Sequence, residues 1–240
     1  MVEIDFSFLK TNPGNIIIRN SGGPDCAIIY YLAAKYVKEN NLDIDFIHLT
    51  VNTTQKYWYI HYAKNVINFV KKEIGIEPIN HVTSKNNVVT EVQAKNGTII
   101  EGYAEAQWEL SKQIMDSYDI KYEFTGATNM LPKRFLNDKL LEGTVNPNLV
   151  YADYSRRSIE DGNEEQSLFM NVEGRTIFHP LINKDKRTVK ELYDQYNLTD
   201  TLFSLTRSCE RTADHPKYKG REHCDWCIFC FERKFAFGKL

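Results

Sequence analysis

The chain has 240 residues, 42% of them hydrophobic and 26% charged, which is enough apolar material for one sizeable core and excludes a disordered chain. Thirty Lys and Arg against 32 Asp and Glu leave a formal charge of -2, so no global basic field marks a nucleic-acid binder. No stretch reaches membrane-spanning length, and the N-terminal MVEIDFSFLK carries acidic residues and no small-residue cleavage site, so a soluble cytoplasmic protein with no membrane partner is expected.

The first patterned segment is NIIIRNSGGPDCAIIYYLAAKY, beginning at Asn15. Ile16, Ile17 and Ile18 form an apolar β-branched run suited to a strand buried on both faces of a parallel sheet. Apolar residues then recur at helical spacing at Ala27, Ile28, Tyr31, Leu32, Ala34 and Val37, with Pro24 at the first helical position. The Ser-Gly-Gly turn therefore feeds a helix N-terminus, whose unpaired N–H groups and positive dipole end favour an anion. Gly22 and Gly23 let the backbone approach a phosphate closely, and Ser21 adds a hydroxyl. Ile18, Arg19, Asn20, Ser21, Gly22, Gly23, Pro24, Asp25, Cys26 and Ala27 are accordingly the expected phosphate-binding stretch.

A second strand is expected over 44–51, followed by a helix with apolar positions at Tyr59, Ala63, Val66, Ile67 and Val70. EPINHV reads as a third strand, and NVVTEVQAKNGTIIEGY as an inserted hairpin turning at Asn96-Gly97. A helix over about 104–118 leads to the strand KYEFTGATN. A polar loop, SRRSIEDGNEEQS, comes before the last strand, TIFHPLI, and the helix DKRTVKELYDQYN. Repeated βα units imply an α/β fold with a doubly wound, mainly parallel sheet, whose ligands bind at the carboxyl ends of the strands. Leu49 and Thr50 end the second strand, and Thr125, Gly126 and Thr128 follow the later one, so three loops are placed to enclose one nucleotide.

Four of the five cysteines crowd the C-terminal segment: Cys209, then after fourteen residues Cys224, Cys227 and Cys230 in Cys-x-x-Cys-x-x-Cys spacing. Such a knuckle brings thiolates onto one tetrahedral ion, and Zn2+ is its natural occupant, with an iron–sulfur cluster the alternative. His215 and His223 lie in the same segment but are not needed as ligands. The chain is expected to divide into a nucleotide-binding α/β domain, 1–206, and a zinc-binding segment, 207–240, packed on it.

The string SGGPDC between strand and helix resembles the Ser-Gly-Gly-x-Asp-Ser loop of the N-type ATP pyrophosphatases, the PP-loop group that includes GMP synthetases, NAD synthetases and tRNA-modifying adenylating enzymes. HPLINKDKRTVKELYDQYNLTDTLFSLTRSCE followed by HCDWCIFCFERKFAF is similar to the pattern of 7-cyano-7-deazaguanine synthases, in which Pro-Leu, a lysine-led helix and Ser-Cys precede a zinc knuckle. The resemblance implies ATP with Mg2+ and adenylation of a heterocyclic carboxylic acid. Pyrophosphate is released, and ammonia then replaces AMP to give an amide or nitrile. On this resemblance Ser21, Asp25, Cys26 and Lys186 are the catalytic candidates, and the candidate substrate contacts are Asp153, to accept from guanine-type N–H groups, and Arg156 and Arg157, to hold the acid by paired hydrogen bonds.

Cys26 stands where the family has serine, which leaves two readings: simple replacement, or a nucleophile activated by the helix N-terminus. The family's Tyr-x-Pro-x-Arg-Asn stretch is absent, and YADYSRRS is a loose echo of its Gly-Tyr-Pro-Asp-Cys-Arg segment. Two alternatives stay open: a PP-loop enzyme that adenylates tRNA, and an ATP-binding regulatory protein weakened in catalysis. Eight Lys or Arg against five Asp or Glu from Arg207 to Leu240 give only a small basic surplus toward RNA. A homodimer is compatible with the sequence.

Overall fold

The structure is a computed structural model that describes residues 2–52, 58–84, 92–93, 99–100, 102–135, 158–209, 223 and 227–239. The expected turn at Asn96-Gly97 and the candidates Asp153, Arg156, Arg157 and Cys224 lie outside these residues. After a short helix α1 (Phe8–Thr11), strand β1 (Asn15–Arg19) leads into α2 (Pro24–Glu39), β2 (Phe46–Thr50) into α3 (Tyr59–Ile74), and β3 (Asn80–Thr83) follows. Two-residue strands β4 (Val92–Gln93) and β5 (Ile99–Ile100) pair antiparallel as the inserted hairpin. Helix α4 (Gly102–Ser117) precedes β6 (Ile120–Phe124), and β7 (Phe169–Val172), β8 (Arg175–Phe178), α5 (Lys186–Gln195) and α6 (Ile228–Phe237) complete the order.

The six-stranded sheet runs β3-β2-β1-β6-β8-β7 and is parallel except for β7 at its edge. The isoleucine run explains why β1 is central. Ile16 and Ile18 pack with Ala27, Ile28 and Phe124 on the α2 face, while Ile17 packs with Ile47, Leu49 and Ile114 on the α4 face. Helices thus cover both sides, which makes the fold the doubly wound α/β class read from the sequence. The chain leaves β1 for β2 on one side and returns to β6 on the other, so the strand order reverses between β1 and β6, where such sheets open a ligand crevice.

Helix ends follow local chemistry. Pro24 opens α2 after Gly23, Gly75 closes α3 in the left-handed conformation, and the Asp185 carboxylate caps α5 by accepting from Arg187 N at 2.8 Å. Two elements are additional to the sequence reading. Strand β7 joins β8 through Glu173-Gly174, both at positive φ, a two-residue hairpin turn without the usual Asn-Gly signature. The knuckle residues also continue into a helix, α6, whose Phe237 stacks on Phe203 at 3.8 Å and joins the main core. No helix among the described residues is long and apolar enough to cross a membrane.

Candidate functional site

At the carboxyl ends of the strands, astride the β1/β6 reversal, lies a cavity of about 490 Å³, a volume suited to a nucleotide-sized ligand. Arg19, Asn20, Ser21, Gly23, Pro24, Asp25 and Cys26 form one wall, Leu49, Val51 and Tyr59 a second, and Thr125, Gly126, Ala127 and Thr128 a third. Lys186, at the start of α5, and Arg207 with Ser208 close it.

The turn after β1 is held in place by its own polar atoms. Gly22 has φ +75, and its N–H donates to Asn20 Oδ1 at 2.9 Å while its carbonyl accepts from Arg207 N at 2.9 Å. A Cβ at Gly22 would run into Tyr62 and the backbone at Ala63, so glycine is required where the turn meets α3. On the cavity side, a Cβ at Gly126 would come within 2.7 Å of Cys26 N and 2.9 Å of Asp25 Cβ. Gly126→Ala must therefore push the β6 loop away from the α2 N-terminus, and overpacking of this kind costs about 1–3 kcal/mol. Affinity for a nucleotide probe in this cavity is expected to drop about tenfold, as read by calorimetry, because the loops on either side of it separate.

Charge around the cavity favours an anion. Arg19, Lys186 and Arg207 line it, against Asp25 as the lining carboxylate. Lys186 is buried and ion-paired to Asp25 Oδ2, while the buried Oδ1 has no hydrogen-bond partner among the described residues. A buried carboxylate oxygen without a partner, beside a helix N-terminus and a glycine cradle, is a donor set that fits a phosphate chain carrying Mg2+. Burial, and next the Asp25 carboxylate, push the Cys26 thiol up. Of the two readings of Cys26, this direction favours simple replacement of serine, since desolvation disfavours a thiolate.

Behind the loop lies a buried polar chain. Asn20 Nδ2 donates to His48 Nδ1 at 3.0 Å, which fixes the His48 proton on Nε2, and Thr50 Oγ1 donates to the Asn20 carbonyl at 2.6 Å and meets His81 Nε2 at 2.9 Å. Burial depresses both imidazoles, His48 strongly, with His81 beside it, and His81 to about 4. The folded protein binds these protons less readily than the unfolded chain, so their contribution to stability is complete above about pH 6.5 and is lost as pH falls toward the folded values. Thermal melts from pH 7.5 to 4.5 are expected to show this decline, and His81→Asn should flatten it below pH 6.

The cysteine segment borders the same cavity. The Sγ atoms of Cys209, Cys227 and Cys230 all lie within 4.8 Å of one another and all three residues are buried, while their neighbours Ser208 and Phe229 line the cavity. Three convergent buried thiols fit a thiolate-bound metal. Cys227 is the N-cap of α6 and Cys230 falls in its first turn, where the helix dipole favours thiolate.

Of the residues expected around a nucleotide, Arg19, Asn20, Ser21, Gly23, Pro24, Asp25, Cys26, Leu49, Thr125, Gly126, Thr128 and Lys186 line the cavity. Ile18 and Ala27 are in the core, Gly22 faces α3, and Thr50 is buried against Asn20 and His81. The sequence reading missed Gln107, Gln166, His179 and Arg207 as lining residues. His179, one residue beyond β8, was open to discovery by its place at a strand's carboxyl end; Gln107 carried no local signal.

No protein-family model matches this sequence, and no curated protein does. Among solved structures, a U34-tRNA thiolase from Methanococcus maripaludis, with its [4Fe-4S] cluster, aligns over 81% of this chain and 60% of its own at 16% identity and a TM-score of 0.47. An NAD+ synthetase from Burkholderia pseudomallei aligns over 98% of this chain and 79% of its own at 14% identity and a TM-score of 0.34. This chain thus spans 60% of the thiolase's length. Both scores fall below 0.5, and the chemistry of the site stands on this chain's own residues.

Proposed function

We propose that the protein is an adenylating enzyme of the PP-loop type that cleaves ATP between the α and β phosphates and transfers AMP to an acceptor acid. The observation that carries this reading is the conjunction, in one cavity at the sheet's reversal point, of the Ser21-Gly22-Gly23 turn, the α2 N-terminus and the Asp25–Lys186 pair. Loop N–H groups and Ser21 hold the departing pyrophosphate, and the Lys186 ammonium meets the charge that develops on it. Asp25 orients Lys186 and offers Oδ1 toward the Mg2+ that accompanies ATP.

The finer reading is a 7-carboxy-7-deazaguanine or close heterocyclic acid as acceptor, converted with ammonia to the amide or nitrile, and it rests on the likeness of the C-terminal Pro-Leu, Lys186 and cysteine pattern. Incubation with ATP, Mg2+, ammonium and this acid should give AMP, pyrophosphate and a product in which nitrogen replaces oxygen, read by mass spectrometry. ADP and phosphate as primary products would contradict adenylation itself. A second reading, modification of tRNA, is favoured by the cysteine cluster bordering the cavity. It predicts pyrophosphate release that depends on added tRNA.

A further inference from the structure

A row of buried charge crosses the sheet beneath α4, and one end of it opens into the cavity. Glu123 of β6 is fully buried and ion-paired on both sides, to Arg175 of β8 and to Arg19 at the end of β1. Ser111 Oγ donates to the same carboxylate at 3.3 Å, and the Arg175 guanidinium lies 4.4 Å from the Trp108 ring. Two guanidiniums on one carboxylate leave a surplus positive charge, and burying an uncompensated charge is costly. Arg175 is closed to solvent, whereas Arg19 keeps 23% of its side chain exposed and lines the cavity, so the surplus is presented there.

The sheet face matters as much as the charge. Alternation along β1 places Arg19 with Ile17 on the α4 side, while the phosphate turn leads into α2 on the other side. Besides Glu123, the side chains beside Arg19 are hydrogen-bonding groups. Its Nη1 reaches Gln107 Oε1 at 3.4 Å, and His179, whose Nδ1 meets Thr125 Oγ1 at 2.6 Å, is held below its usual range by burial and then by Arg19 itself. A cation whose Nε is fixed by a buried carboxylate is pre-oriented, and its remaining N–H groups are a planar fork able to hold a carboxylate by paired hydrogen bonds on the sheet face away from the phosphate turn.

We propose that Arg19, with Gln107 and His179 beside it, forms a carboxylate subsite that holds the acid group of the acceptor rather than the phosphates of ATP. The proposal rests on the adenylation reading above and assigns the two substrates to opposite faces of the β1 end. It also reassigns Arg19, which the sequence pattern groups with the phosphate-binding stretch.

The test uses the whole protein and two small probes of nearly the same shape, the anion benzoate and the neutral benzamide, titrated by NMR in the presence of a non-hydrolysable ATP analogue and Mg2+. Wild type is expected to prefer benzoate by about tenfold or more, and Arg19→Gln to lose that preference while analogue affinity changes less than about threefold. Equal binding of the two probes to wild type overturns the proposal. So does an Arg19→Gln protein that keeps its preference for benzoate but binds the analogue about tenfold more weakly. Should Arg19→Gln fail to fold, Arg19→Lys, which keeps the charge facing Glu123 but not the planar fork, is expected to weaken benzoate and not the analogue. A wild-type protein that discriminates benzoate but does not bind the analogue would sink adenylation and leave the acid subsite standing.

Discussion

Replacing Lys186 with alanine is expected to lower pyrophosphate release from ATP by about a hundredfold to a thousandfold, the loss typical when one group that stabilises developing charge is removed. Stability should fall as well. Lys186 and Asp25 keep only 5% and 15% of their side chains exposed, and Asp25 would be left as a buried carboxylate without its cation. Breaking a buried pair in this way costs about 3–5 kcal/mol, somewhat less here because Asp25 borders the cavity. The double variant Lys186→Ala with Asp25→Ala separates the two roles. Removing both charges should restore much of the melting temperature, because no orphaned charge remains, yet turnover should stay as low as in the single variant. Recovery of turnover along with stability would mean that the pair only holds the fold together and that phosphate charge is met elsewhere.

That pair also shows how much of the site could be read before folding. Asp25 follows the glycine turn and is legible from local pattern, because strand, turn and helix N-terminus are consecutive in the chain. Lys186 was reachable only through a likeness of sequence, since nothing local tells a lysine in the first turn of α5 that it will meet a residue 161 positions earlier. The same physics separates β1 from β7. A triple isoleucine run buried on both faces declares a central strand, whereas the mostly exposed FMNV of β7 is a strand because it pairs with β8 through a tight turn. Arg19, Glu123 and Arg175 come from three strands, and their meeting beneath α4 depends on sheet order, which hydrophobic periodicity does not encode. At Cys26 the position at a helix end is legible locally, while the surroundings that raise its thiol depend on Gly126 and the β6 loop packing against it.

The cysteine cluster gives the second large effect. Metal analysis is expected to find about one zinc per chain, and Cys230→Ser or exhaustive chelation should lower the melting temperature by about 10 °C, the equivalent of about 3–5 kcal/mol for a domain of this size. The reason is that the cluster ties α6 to the segment before it. Cys227 and Cys230 belong to α6 and its cap, Cys209 to the stretch after Phe203, and the same two pieces are joined by buried Arg233, which donates to Thr206 Oγ1 at 2.9 Å and to the Phe203 carbonyl at 3.1 Å. Two residues before Cys209, Arg207 N donates to the Gly22 carbonyl, and its guanidinium lies 3.9 Å from the Trp58 ring. Loss of the metal should therefore reach the phosphate turn through a single peptide segment, weakening ATP binding about threefold to tenfold even at temperatures where the sheet stays folded. Metal-free protein that melts lower but binds ATP as before would confine the cluster to stabilising α6, and iron with visible absorption would replace zinc as its occupant. Cys26→Ser serves as the control, because Cys26 is the cysteine on the cavity wall rather than in the cluster, and it should change neither metal content nor melting temperature to a comparable extent.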